Sequence, residues 1–91
     1  MPISFHLDRS AQSPPVYVLS DNDWERIEVE IEPLLQSWGY IIDPFGSGKI
    51  TGLQLKAVHG RIKDIASISD DALSFFGTDF DRDFVLYTHG D

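Results

Sequence analysis

The chain has 91 residues, no cysteine, seven Lys and Arg against fifteen Asp and Glu, and a formal charge of −8. That length supports one hydrophobic core and excludes a second domain, and without cysteine there is no disulfide or thiol chemistry. The acidic balance argues against nucleic acid, whose phosphates reward clustered Lys and Arg, and no apolar run approaches the ~20 residues of a membrane helix.

The start, Met1-Pro2-Ile3-Ser4-Phe5, has neither the basic nor the apolar region of a secretory signal, so a cytoplasmic location is expected. Ile3, Phe5 and Leu7 alternate with Ser4 and His6, the period-two pattern of a strand with one buried face. Asp8 to Pro15 is loop chemistry, closed by two prolines that offer no N–H to a sheet. Val16 to Leu19 reads as a second strand, antiparallel to the first.

Ser20 and Asp21 suit the N-terminus of a helix, and Asp21, Asp23 and Glu25 place negative charge where the helix dipole is positive. Trp24, Ile27, Ile31, Leu34, Leu35 and Trp38 fall on one arc at 100° per residue, which predicts an amphipathic helix over 21–38 with both tryptophans facing the core. Pro33 lies opposite that arc, so a kink there leaves the core contacts intact, and Gly39 supplies the stop. Tyr40-Ile41-Ile42 is a short bridge or edge strand, and 43–48 is dense in turn formers.

Thr51 with Gln54 forms a capping box for a second helix, and Leu55, Val58, Ile62, Ile65 and Ala66 share an arc that carries it over about 52–66. Ser69 caps a short third helix ending at Phe76-Gly77. Phe84 to Thr88 is the third strand. The expected fold is a single α+β domain over 1–91: an antiparallel or mixed sheet of about three strands, with two main helices and a short third helix packed on one face.

Two segments bear on metal chemistry. Asp43, Ser47, Gly48, Ile50 and Thr51 occupy positions 1, 5, 6, 8 and 9 of a twelve-residue stretch that resembles a calcium-binding EF-hand loop. The resemblance implies a divalent-cation-responsive regulator with ligands at Asp43, Ser47 and Thr51. The stretch departs from the pattern at Phe45 and at Gln54, which replaces the bidentate glutamate, and as a turn it also redirects the chain into the second helix. Asp79, Asp81 and Asp83 alternate with Phe80, Arg82 and Phe84, so an extended backbone would align three carboxylates; a solvated turn carries the same charges.

Catalytic motifs are missing. There is no Gly-x-Ser-x-Gly elbow, no phosphate loop and no His-Glu-x-x-His pair, and His6, His59 and His89 read as surface residues. The expectation is a non-catalytic protein without a cofactor.

Charge placement is more informative. Asp21, Glu25, Glu28 and Glu32 follow i, i+4, i+7, i+11 spacing and form one acidic stripe, in which like charges cost about 0.2–0.5 kcal/mol per pair. Lys56, His59 and Lys63 on the second helix could offset it by packing opposite. The remaining acids outnumber the remaining arginines, so a net acidic surface persists. Asp21, Glu25, Glu28, Glu32, Asp79, Asp81 and Asp83 are therefore the candidate partner-binding residues, with Trp24, Trp38, Tyr40, Phe45 and Phe80 as aromatic anchors. Such a chain suits masking a basic partner protein, in the manner of an immunity protein or antitoxin inhibiting a nuclease-type toxin. It is expected to act as a monomer or weak homodimer, and a structural or dimerisation subunit is the alternative.

Overall fold

A computed structural model of the chain describes residues 2–10, 12–39, 42 and 46–90. Its strands are β1 (Ile3–His6), β2 (Tyr17–Leu19), β3 (Ser47–Thr51) and β4 (Val85–Gly90), and its helices are α1 (Asp21–Trp38), α2 (Gly52–Ile62) and α3 (Asp70–Phe76). The fold is α+β. The sheet runs β2-β1-β4-β3 with every neighbouring pair antiparallel, so β1 and β4 are central and β2 and β3 are edges.

The period-two pattern decides which side of the sheet is dry. Register aligns Ile3 with Leu19 and Phe5 with Tyr17 and Thr88, while Ile50 pairs with Leu86. Ile3, Phe5, Leu19, Ile50 and Leu86 are fully buried in one cluster with Ile27 and Ile31 of α1, Leu55, Val58 and Ile62 of α2 and Phe76 of α3. Each such side chain contributes about 1.5–3 kcal/mol by leaving water, so this layer between sheet and helices dominates stability. Its aromatic centre is Phe5, 4.9 Å from Phe75 and 6.0 Å edge-on from Phe76, with Tyr17 stacked on Phe75 at 4.5 Å.

α1 begins and ends where the cap and the glycine predict: Ser20 Oγ accepts from the Asp23 amide, and Gly39 follows with a left-handed φ of 80°. Pro33 sits inside one continuous helix, on its exposed side. Trp24 is buried as expected, whereas Trp38 is 37% exposed. Leu35 is the last core residue of α1, so the final turn carries Trp38 beyond the layer it would pack into.

The second edge strand, β3, is absent from the sequence expectation, which assigned these residues to a turn. Only Ile50 of its five residues is apolar, so no alternation announces it. The chain passes from β3 into α2 without a loop. Thr51 Oγ1 accepts from the Gln54 amide and Gln54 Oε1 accepts from the Thr51 amide, which completes the predicted capping box. Gly52 is required here: a Cβ would overlap the carbonyl oxygen of Asp81, which crosses directly above. α2 stops at Ile62, short of the expected 66, with a turn at 63–64. The apolar segment expected at 40–42 lies outside the described residues except for Ile42, which is fully buried.

Candidate functional site

The acidic stripe of α1 is present. Glu25, Glu28 and Glu32 are exposed and make no ion pair among the described residues, and Val29 lies among them at 69% exposure. Asp21 is exposed at the start of the stripe and is engaged. The expected offset from α2 does not form. Lys56 Nζ instead pairs with Asp79 at 2.9 Å, and the His59 ring lies against Gly77, at the C-terminal end of α3.

The turn bearing Asp79, Asp81 and Asp83 has a different position and a structural reason. Its backbone closes the first turn of α2: Gly52 N–H donates to Phe84 O at 2.7 Å and Leu53 N–H donates to Arg82 O at 3.3 Å. Carboxylates here stand beside a helix N-terminus, where the dipole favours negative charge. Asp81 and Asp83 are exposed, and Asp79 is already held by Lys56, in a solvated pair contributing roughly 0–1 kcal/mol. The backbone of this turn therefore braces α2 and Asp79 is paired, whereas the exposed Asp81 and Asp83 carboxylates, like Glu25, Glu28 and Glu32 of the α1 stripe, make no ion pair among the described residues.

The EF-hand-like stretch is not a loop between helices. Ser47 to Thr51 is β3, paired residue by residue with β4, and Thr51 spends its hydroxyl on the α2 cap. Asp43, Tyr40 and Phe45 lie outside the described residues. Phe80 is half-buried and stacks on Phe84 with centroids 5.2 Å apart.

Asp23, adjacent to the stripe in sequence, does something else. It is buried, and its carboxylate accepts from Ser69 Oγ at 2.6 Å and Ser69 N–H at 3.0 Å, while Ser69 Oγ accepts from the Ala72 amide. The N-termini of α1 and α3 are thereby joined through one carboxylate. Burial pushes the Asp23 carboxyl up, but the hydrogen bonds from Ser69 and Ser20 and the charge of Arg26 outweigh it, and its pKa ends below the usual value. The Tyr17 hydroxyl is pushed above 10.0, first by burial and then by the Asp23 charge.

Sequence reasoning missed the side of the sheet away from the helices. Ser4, His6, Val18, Lys49, Tyr87 and His89 alternate with the core residues and so share this open face. The loop after β1 folds back over it. His6 Nδ1 donates to the Ser13 carbonyl at 3.0 Å, with Nε2 2.8 Å from Ser4 Oγ, and His89 Nε2 donates to the Arg9 carbonyl at 3.2 Å. The two imidazoles meet edge-on at 5.3 Å. His6, read as a surface residue, is 6% exposed, because the loop it holds covers it. Asp8 organises that loop: the Ser10 hydroxyl, 2.6 Å away, and then the Gln12 and Ser13 amides hold its carboxyl at about 2.

Comparison with protein-family models, curated proteins and solved structures finds no match for the chain. Among the described residues, no helix is long and apolar enough to cross a membrane.

Proposed function

We propose that this protein is a non-catalytic binding module that lays the carboxylate stripe of α1 on a basic surface of a partner protein, and that it masks a cationic, nuclease-type toxin in the cytoplasm. The supporting observation is that Glu25, Glu28 and Glu32 stand exposed along one helix without an ion pair among the described residues, with Val29 69% exposed between them. Neighbouring like charges make the free helix slightly less stable, and a partner's Lys and Arg would relieve that cost while raising the association rate. Val29 supplies apolar contact at the centre of the stripe, where water is most readily excluded.

The test is affinity capture at low salt, followed by binding measurements with the purified captured protein. A basic partner should lose affinity steeply as salt rises, because the Debye length shrinks to about 10 Å at 0.1 M. The triple substitution Glu25→Gln, Glu28→Gln, Glu32→Gln should weaken binding at least about tenfold, through loss of charge-assisted contacts. Binding that ignores both salt and the triple substitution overturns the proposal.

A further inference from the structure

Arg9, Ser47, Gly48, Lys49, Tyr87 and His89 line a shallow cleft of about 460 Å³ on the open face of the sheet. Arg9 and Lys49 are both exposed there, and neither forms an ion pair among the described residues. Of the other cations, Lys56 pairs with Asp79, while Arg26, Arg61, Lys63 and Arg82 are exposed without an ion pair among the described residues. What sets Arg9 and Lys49 apart is that they line one cleft with no acidic residue in its lining.

The surroundings hold this arrangement in place. The Arg9 guanidinium stands over the Tyr87 ring, 5.7 Å from its centroid, and the Arg9 carbonyl is held by His89 Nε2. His89 Nδ1 lies 3.4 Å from Ser47 Oγ, so one imidazole positions both the arginine and a hydroxyl at the cleft wall. Asp8, the carboxylate next to Arg9 in sequence, is turned to the Ser10 hydroxyl and the Gln12 and Ser13 amides. Lys49 on an edge strand also discourages pairing with another sheet, but that role does not call for Arg9 fixed beside it over an aromatic ring.

We propose that this cleft binds a phosphate-bearing small molecule. The guanidinium supplies a fork that matches phosphate oxygens in pairs, the ammonium a point charge, and Ser47 a hydroxyl at the wall whose proton His89 Nδ1 now shares. The volume falls within the roughly 300–1,000 Å³ of small-ligand sites, but the cleft is shallow, so it would cover the charged end of a ligand rather than the whole of it. A long nucleic acid is disfavoured because its further phosphates would meet the acidic remainder of the surface. The site is independent of the α1 stripe, which belongs to the opposite, helical side of the sheet.

The experiment is titration of the ¹⁵N-labelled full chain with inorganic phosphate, adenosine monophosphate and adenosine. Both phosphates should shift the amides of Arg9, Ser47, Lys49, Tyr87 and His89 saturably, with the nucleotide Kd below about 1 mM, and adenosine should not. Arg9→Gln and Lys49→Gln are exposed changes that should each weaken binding roughly tenfold, Lys49→Gln with unchanged melting temperature and Arg9→Gln with at most the small loss of its contact with Tyr87, while Lys63→Gln on α2 should leave binding intact. The assignment is overturned by non-saturating shifts, by adenosine binding as well as its monophosphate, or by equal losses in Lys63→Gln. A single-stranded oligonucleotide binding roughly a hundredfold tighter than the mononucleotide would overturn the small-molecule class.

Discussion

Asp23 and Glu28 belong to one helix and live under opposite conditions. The first is 7% exposed and receives two hydrogen bonds from Ser69, and the second is exposed with no ion pair among the described residues. The same division runs through β1, where Phe5 faces an aromatic cluster and its neighbour His6 serves the carbonyl of a covering loop. On the inward side a residue is explained by what surrounds it already. On the outward side of α1, Glu25, Glu28 and Glu32 make no ion pair among the described residues, and that makes them candidates for an external partner.

Three measurements test this division, the largest effect first. Phe5→Ala should remove about 3–5 kcal/mol in chemical denaturation, because it opens a cavity under Phe75 and Phe76. Ser4→Ala on the other face of the same strand should cost about 1–2 kcal/mol, the loss of its hydrogen bond to the buried His6 ring. Comparable losses at both positions would erase the contrast between the two faces.

Asp23→Ala should cost about 2 kcal/mol at neutral pH, since it strips the Ser69 amide and hydroxyl of their acceptor and parts two helix N-termini. The pH dependence has a definite sign. The folded-state pKa of Asp23 is lowered, so its contribution is complete above the unfolded value, about 3.9, and is lost as pH falls through the lower folded value. The gap between wild type and Asp23→Ala should therefore begin to narrow below about pH 4 and close as pH falls through the lower folded value. A gap independent of pH would show that the ionised carboxylate is not what joins α1 to α3.

The smallest effect has the opposite direction. Glu28→Gln should raise the melting temperature slightly, by the equivalent of about 0.2–0.5 kcal/mol, because it relieves repulsion from Glu25 and Glu32. A clear loss would mean that Glu28 already has a structural duty.

Much of the architecture could be read from local signals. The bounds of α1, and the caps Ser20, Thr51 and Ser69, follow from side chains that satisfy nearby amides, an interaction contained within four residues of sequence. β3 could not be read this way, because Ser47, Gly48 and Lys49 look like a turn until β4 arrives to pair with them. The stripe of α1 was visible because helical spacing alone aligns it. The cleft was invisible for the converse reason: Arg9, Lys49 and Tyr87 come from three separate stretches, and only the sheet register and the fold-back of the first loop bring them to one place. Trp38 misled because angular position says which side a residue faces and not how far the core extends.

The pairing of β1 with β4 sets Ile3 beside Gly90, the widest separation in sequence that the sheet spans. Both central strands must therefore be in hand before either edge has a finished neighbour, and a nascent chain stopped short of residue 85 holds all three helices but only the β1–β2 pair and an unpaired β3 of the sheet. Assembly of this domain on the ribosome should accordingly wait for the last strand to clear the exit tunnel, and new termini opened in a surface turn, with residues 3 and 90 tethered by a brief linker, should speed closure of the sheet.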